Sequence, residues 1–280
     1  MKYFELKFNL LPNDSQDARD LLGALLAEVG FETFTDSENG IDAYIQHSLW
    51  DEAAVQSLIT DFPMEVRISY TRAEAGYQNW NEQWEAEGFE PVSIANDICI
   101  HDTRHEPSTA ARYDITINPR MAFGSGTHPT TQMILTELLG LPLEGKRIMD
   151  AGCGTGVLGI LAMQRGASHI LAYDIDEWST ENTELNFALN GFQQVEIRQG
   201  DSKCVQGERD FDLVLANINR NILLADMPVW QQTLAQGGAL LVSGFYESDA
   251  DAVLNKAREL GLEEKSRRLC DGWCLLRLGA

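Results

Sequence analysis

The chain has 280 residues, 44% of them hydrophobic, which is enough for two modest domains or one large one. No apolar run approaches the ~20 residues of a membrane-crossing helix, and the opening Met1-Lys-Tyr-Phe-Glu lacks a signal-peptide core. A formal net charge of −22 speaks against a ligand held by its phosphate backbone, which needs clustered Lys and Arg. The charge suits a basic or cationic partner, and it equally suits an acidic chain whose charge serves solubility alone. The five cysteines, at 99, 153, 204, 270 and 274, form no CxxC pair. Cys270 and Cys274 have no matching His or Cys pair, so no metal site is expected. A reduced, cytoplasmic protein is the simplest reading.

Residues 2–10 alternate like a half-buried strand. Asn13 or Asp14 is expected to open a helix with Ala18, Leu21, Leu22, Leu25 and Val29 on its apolar face. Residues 31–34 and 41–45 read as two strands joined through the turn signal Ser37-Glu-Asn-Gly40. Ser48 with Asp51 looks like the start of a second helix, whose core side is Val55, Leu58, Ile59 and Phe62. Pro63 ends it, and residues 65–71 make a fourth strand. The order β-α-β-β-α-β is the ferredoxin-like motif, which hosts many functions and indicates only a small independent module, here 1–75. Trp80 and Trp84 then share one face of a short linker helix, expected over 76–91, and packing is the simpler role for them.

Strands are expected near 98–101 and 113–117. Ala122-Phe-Gly-Ser-Gly-Thr-His128-Pro-Thr-Thr131 precedes a helix at 132–139. Its glycines and hydroxyls read as a ligand-facing loop, although Thr130 or Thr131 can simply cap the helix. From Arg147 onward strands and helices alternate, with strands at 147–150, 170–174, 194–198, 211–216 and 238–244. That is the doubly wound α/β pattern, here over 92–280. A helix near 248–260 is followed by strands at 263–269 and 273–278, joined by Asp271-Gly272. Asp-Gly signals a tight turn, so the last strand should insert antiparallel.

The most informative stretch is Arg147-Ile-Met-Asp150-Ala-Gly152-Cys-Gly154-Thr-Gly156, with a helix expected over 157–164. A strand that runs through a glycine loop into a helix N-terminus makes a nucleotide-type site. The literal dinucleotide fingerprint is present as Gly154, Gly156 and Gly159. In that frame Asp150 lies inside the strand, near the place of a pyrophosphate, and like charges repel. In the frame Asp150-x-Gly152-x-Gly154-x-Gly156 the acid precedes the loop and suits a cationic ligand. S-adenosylmethionine carries an amino group and a sulfonium and no phosphate, so it fits better than NAD. Asp174, at the end of the next strand, is about 20 residues beyond the loop and suits ribose hydroxyls of either cofactor. Asp201 can face the adenine, and Asn217 ends a further strand with an amide.

Phe123-Gly-Ser-Gly-Thr-His-Pro-Thr-Thr131, Asp150-x-Gly-x-Gly-x-Gly156 and Asp174-Ile-Asp176 together resemble the PrmA family, the bacterial methyltransferases of large-subunit ribosomal protein L11. The resemblance is dense over 120–245 and looser over 1–75. It implies a class I S-adenosylmethionine-dependent methyltransferase domain with a seven-stranded sheet and an antiparallel last strand. It also implies an N-terminal substrate-recognition domain, a linker helix, and trimethylation of lysine ε-amines and of the N-terminal amine of L11. The family's cofactor positions map onto Thr131, Gly152, Asp174 and Asn217, and Phe123, Asp150, Gly154 and Asp201 are expected beside them. Asn217 is expected also to orient the amine, and His128 is either a proton acceptor or a structural loop residue. The segment Ala216-Asn217-Ile218-Asn219-Arg220-Asn221 is more polar than the family pattern. Open alternatives are a lysine methyltransferase acting on another protein, a non-catalytic cofactor-binding module and an NAD-dependent oxidoreductase.

Overall fold

The computed structural model describes residues 3–13, 15–37, 39–64, 66–74, 89–106, 108, 110–118 and 124–280. The linker helix expected over 76–91 lies outside the described residues except for 89–91, and so do Asp14, Trp80, Trp84 and Phe123. The chain divides into two compact units, Met1–Trp80 and Asn81–Ala280.

The first unit runs β1 (Tyr3–Leu11), α1 (Gln16–Glu28), β2 (Phe31–Ser37), β3 (Gly40–Gln46), α2 (Glu52–Thr60) and β4 (Arg67–Glu74). The strands form one antiparallel sheet in the order β2-β3-β1-β4. Alternation along β1 buries Leu6, Phe8 and Leu10, each worth about 1.5–3 kcal/mol when fully buried. On α1 the buried stripe is Ala18, Leu22 and Leu26, and Leu21 and Leu25 are only half-buried. Spacing by four therefore places Leu26, not Leu25, at the centre of the apolar face. The helix is capped by Ser15, whose hydroxyl accepts from Ala18 N at 3.2 Å, and not by Asn13. Asp51 caps α2 by accepting from Ala53 N at 2.9 Å and Ala54 N at 3.1 Å, while Ser48 lies in a short 3₁₀ turn. Gly40 starts β3 because a Cβ there would stand 2.0 Å from the Phe8 carbonyl oxygen.

The second unit begins with a small sheet of β5 (Val92–Ile94), β6 (Ile98–His101) and β7 (Tyr113–Thr116). The β5 strand runs antiparallel to β6, and β6 runs parallel to β7. There follow α3 (Pro129–Gly140), β8 (Arg147–Ala151), α4 (Val157–Gln164), β9 (His169–Asp174), α5 (Glu177–Leu189), β10 (Glu196–Gln199), β11 (Phe211–Asn217), α6 (Arg220–Thr233), β12 (Leu234–Tyr246), α7 (Ala250–Glu259), β13 (Glu263–Cys270) and β14 (Trp273–Gly279). Their seven-stranded sheet has the order β10-β9-β8-β11-β12-β14-β13. The first five are parallel, and β14 runs antiparallel to both its neighbours. Asp271 and Gly272, both at positive φ (51° and 78°), make the turn that reverses the chain.

Both faces of this sheet are covered. Ile148, Ile170, Ala172, Leu213 and Leu215 pack on one side with α3, α4 and α5. Met149, Leu171, Tyr173, Val214 and Ala216 pack on the other with α6 and α7. Burial on two sides explains why these strands read as continuous apolar runs. The strand order reverses at β8, between β9 and β11, and a doubly wound sheet opens its ligand crevice at such a point.

Candidate active site at the carboxyl ends of the strands

The glycine loop leaves β8 and enters α4. Gly152, Gly154 and Gly156 all take positive φ, at 69°, 54° and 77°. A side chain is disfavoured there on backbone grounds alone. At Gly152 a Cβ would also come within 2.4 Å of Ile218 Cγ2. The loop is anchored to the next strand, because Gly152 N and Cys153 N both donate to the Tyr173 carbonyl, at 2.9 and 3.1 Å.

Asp150 lies beneath this loop and is 1% exposed. Its Oδ2 accepts from Gly159 N at 3.1 Å, and its Oδ1 is buried with no hydrogen-bond partner among the described residues. Burial pushes its carboxyl up to about 7, and the nearby Asp174 adds to the rise. Gly159, the third glycine of the literal dinucleotide match, serves packing: a Cβ there would stand 2.8 Å from Phe187 Cζ and 3.3 Å from Asp150 Oδ2.

Asp174 ends β9. Its Oδ2 accepts from Gly154 N at 3.1 Å and its Oδ1 from Asp176 N at 3.0 Å. Desolvation raises its carboxyl above the usual range. One acid therefore both shapes the glycine loop and stands at the crevice.

The second loop meets the first through Thr155, whose hydroxyl donates to Gly124 O at 2.8 Å. The helix that follows starts at Pro129, three residues earlier than 132, and neither Thr130 nor Thr131 caps it. The cap is His128, whose Nδ1 accepts from Thr130 N at 3.3 Å and meets Thr130 Oγ1 at 2.7 Å. Its ring lies edge-on to Trp273, with centroids 4.8 Å apart. Thr131 is buried in the first turn. Its Oγ1 accepts from Asn217 Nδ2 at 3.1 Å, and Asn217 Oδ1 is left buried with no partner among the described residues. Two acids, a bare backbone loop and an orphaned amide oxygen thus converge where the strand order reverses.

The family model described as ribosomal protein L11 methyltransferase (PrmA) matches residues 15–279. The chain belongs to the PrmA family. A ribosomal protein L11 methyltransferase of Phocaeicola vulgatus is 43% identical over 278 residues, covering 99% of each chain. One of Bacteroides fragilis is 45% identical over 273 residues, covering 95% of this chain and 97% of its own. The crystal structure of a ribosomal protein L11 methylase from Lactobacillus delbrueckii subsp. bulgaricus aligns with a TM-score of 0.63 at 25% identity, over 68% of this chain and 98% of that one. The second unit accordingly has the class I S-adenosylmethionine-dependent methyltransferase fold, with its last strands antiparallel.

One residue expected in the cofactor site stands apart from the cluster in its bonding. Asp201 is exposed and is engaged by its own neighbour: it accepts from Lys203 N at 2.9 Å and pairs with Lys203 Nζ at 2.8 Å. The bonds from Lys203 hold its carboxyl below the usual range. The polar run after Asn217 has a local explanation. Asn219 caps α6 by accepting from Ile222 N at 3.1 Å, and Arg220 pairs with Asp249 at 2.6 Å. These side chains serve a helix start. Residue-by-residue reasoning missed Thr155, Thr183 and Asn186. Thr183 donates to Gly154 O at 2.8 Å, and Asn186 donates to Thr155 O at 2.9 Å. The Asn182-x-x-x-Asn186-x-x-x-Asn190 spacing was the available signal, because it puts three amides on one helix face.

Proposed function

We propose that this chain transfers methyl groups from S-adenosylmethionine to amines of ribosomal protein L11, namely lysine ε-amines, the N-terminal α-amine, or both, up to the trimethyl form. The observation that carries the reading is Asn217 Oδ1, which has no hydrogen-bond partner among the described residues and is buried at the strand end beside an acid-lined glycine loop. A buried acceptor without a donor costs about 1–3 kcal/mol, so it points to a ligand that supplies one.

The residues suit S-adenosylmethionine. Asp150 and Asp174 offer acidic partners to its amino group and ribose hydroxyls, and Gly152 and Gly154 admit its backbone-facing edge. Thr131 and Asn217 close the pocket, and Asp201 stands toward the adenine. The unpartnered Oδ1 of Asp150 is a buried acceptor that a cationic group would satisfy. When bound, S-adenosylmethionine supplies a methyl already activated on a sulfonium, so the protein's work is positioning and desolvation.

The attacking amine must be neutral, and a free lysine amine has a pKa near ~10.4. Enclosure beside Asn217 lowers that value by desolvation. Asn217 Oδ1 accepts one amine hydrogen and aims the lone pair away from itself. Water carries the released proton, and His128, whose Nδ1 is taken up by its capping bonds, has a structural role in the loop. The net charge of −22 draws in a basic protein substrate. The first unit recognises that substrate, 76–91 links it to 92–280, and the protein works in the cytoplasm.

The test is methyl transfer from labelled S-adenosylmethionine into purified L11, with mass spectrometry of the product. Labelled, mass-shifted L11 is expected. Label entering a different protein identifies another acceptor. Cofactor binding with no transfer to any ribosomal protein identifies a binding module, and binding of NAD instead identifies an oxidoreductase.

A further inference from the structure

Helix α5 carries three asparagines that complete the outer edge of β7 and its extension. Asn190, which caps the helix, brackets Thr116: its Oδ1 accepts from Thr116 N at 3.0 Å and its Nδ2 donates to Thr116 O at 2.6 Å. Asn186 Oδ1 accepts from Asn118 N at 2.7 Å, and Asn182 Nδ2 donates to Asn118 O at 2.7 Å. The inner edge pairs with β6, and Ile117 N donates to His101 O at 2.9 Å.

The register has a geometric basis. Four helical residues rise about 6 Å, and two strand residues rise about 6.6 Å. Asn186 and Asn190, spaced by four, therefore meet Asn118 and Thr116, spaced by two on the strand, and Asn182 completes Asn118 from the other side. In this way a helix supplies what a neighbouring strand would otherwise supply, and the strand edge is satisfied without another strand.

Asn186 differs from the other two. It is 0% exposed, and its Nδ2 also donates to Thr155 O at 2.9 Å, inside the glycine loop. Thr155 in turn binds Gly124 of the second loop through its hydroxyl. A single side chain thus ties the approach to the second loop, at Asn118, to the loop that leaves β8. Asn182 Oδ1 accepts from Asn186 Nδ2 at 3.0 Å and fixes which way the amide faces.

We infer that Asn186 is a positioning residue that sets the register between the two loops of the cofactor pocket. The inference rests on the proposed use of S-adenosylmethionine. Asn190 provides an internal control, because it makes two bonds to the strand, where Asn186 makes one, and among the described residues none to the glycine loop.

The test compares Asn186→Ala with Asn190→Ala in the full chain, reading thermal midpoint, KM for S-adenosylmethionine and KM for the protein substrate. Both variants are expected to lower the midpoint. Only Asn186→Ala is expected to raise the cofactor KM, by about ten-fold, with the protein KM unchanged. An unchanged cofactor KM in Asn186→Ala, or an equal rise in Asn190→Ala, overturns the inference. If Asn186→Ala does not fold, amide exchange in the unaltered chain carries the test. Addition of S-adenosylhomocysteine should slow exchange at Asn118 N, and no change there overturns it. Failure of the unaltered chain to bind either compound would sink the function reading instead.

Discussion

Asn217 reaches across 86 positions of sequence to donate its Nδ2 to Thr131 Oγ1 at 3.1 Å, and that bond decides which way its amide faces. The donor end is occupied by a buried hydroxyl, so the acceptor end is the one left for a ligand. The pair also joins the end of β11 to the first turn of α3, which locks a strand end to a helix start.

Asn217→Ala removes that acceptor and strands the Thr131 hydroxyl. A loss of about 10- to 100-fold in kcat is expected, corresponding to about 1.4–2.7 kcal/mol in the barrier. Cofactor affinity should fall less than kcat. Single-turnover kinetics with saturating S-adenosylmethionine checks this, and an unchanged rate would remove Asn217 from the chemistry.

Asp174 accepts from two backbone N–H groups, and in the proposed site it would accept from the ribose as well. Asp174→Ala should weaken S-adenosylmethionine binding by about 100-fold, given about 1.5–3 kcal/mol per bond to a charged group. Calorimetry reads this directly, and unchanged affinity would discard the ribose assignment.

Asp150 gives a pH dependence with a defined sign. Its carboxyl titrates at 3.8 when unfolded and at about 7 in the fold, so the folded state holds the proton more tightly. The stability it contributes is complete below about pH 4 and is lost as pH rises through 7. Asp150→Asn cannot titrate. It should therefore gain on the unaltered chain between pH 5 and pH 8, by about 1–3 kcal/mol. Urea unfolding at the two pH values measures the gain, and a difference independent of pH would contradict the buried-carboxyl account.

Cofactor binding offers a second reading of the same group. A cationic ligand beside Asp150 should draw the proton off it. At pH 6 binding should release close to one proton, and at pH 8.5 almost none. Titration calorimetry in two buffers of different ionisation enthalpy counts the protons. Equal release at both pH values would place the cation elsewhere.

The two compact units suggest a separation of roles. A chain lacking residues 1–75 should bind S-adenosylmethionine with unchanged affinity and fail to methylate intact L11. Full activity of the shortened chain would refute the recognition role of the first unit.

Much of the fold was legible because it is written in period. Leu6, Phe8 and Leu10 alternate, and Asp271-Gly272 demands a tight turn, so the strand at the start and the reversal at the end follow from local chemistry. Helix starts were less legible. Asp14, Thr130 and Thr131 have capping chemistry as good as that of Ser15 or His128. The choice between them depends on where the preceding loop delivers the chain.

The glycine loop, the acids at 150 and 174 and the amide at 217 were recognisable from the sequence by itself, because backbone freedom and charge are properties of residue type. It also determined the alternation of strands and helices that puts those residues at strand ends. Only the tertiary structure decided their states. Packing under Gly159 removes water from Asp150 and raises its carboxyl, and Asn217 presents oxygen because Thr131 occupies its nitrogen. The role of Asn186 belongs to the same class. Its two partners beyond its own helix, Asn118 and Thr155, meet only when a helix lies along a strand edge, and no local sequence window holds both.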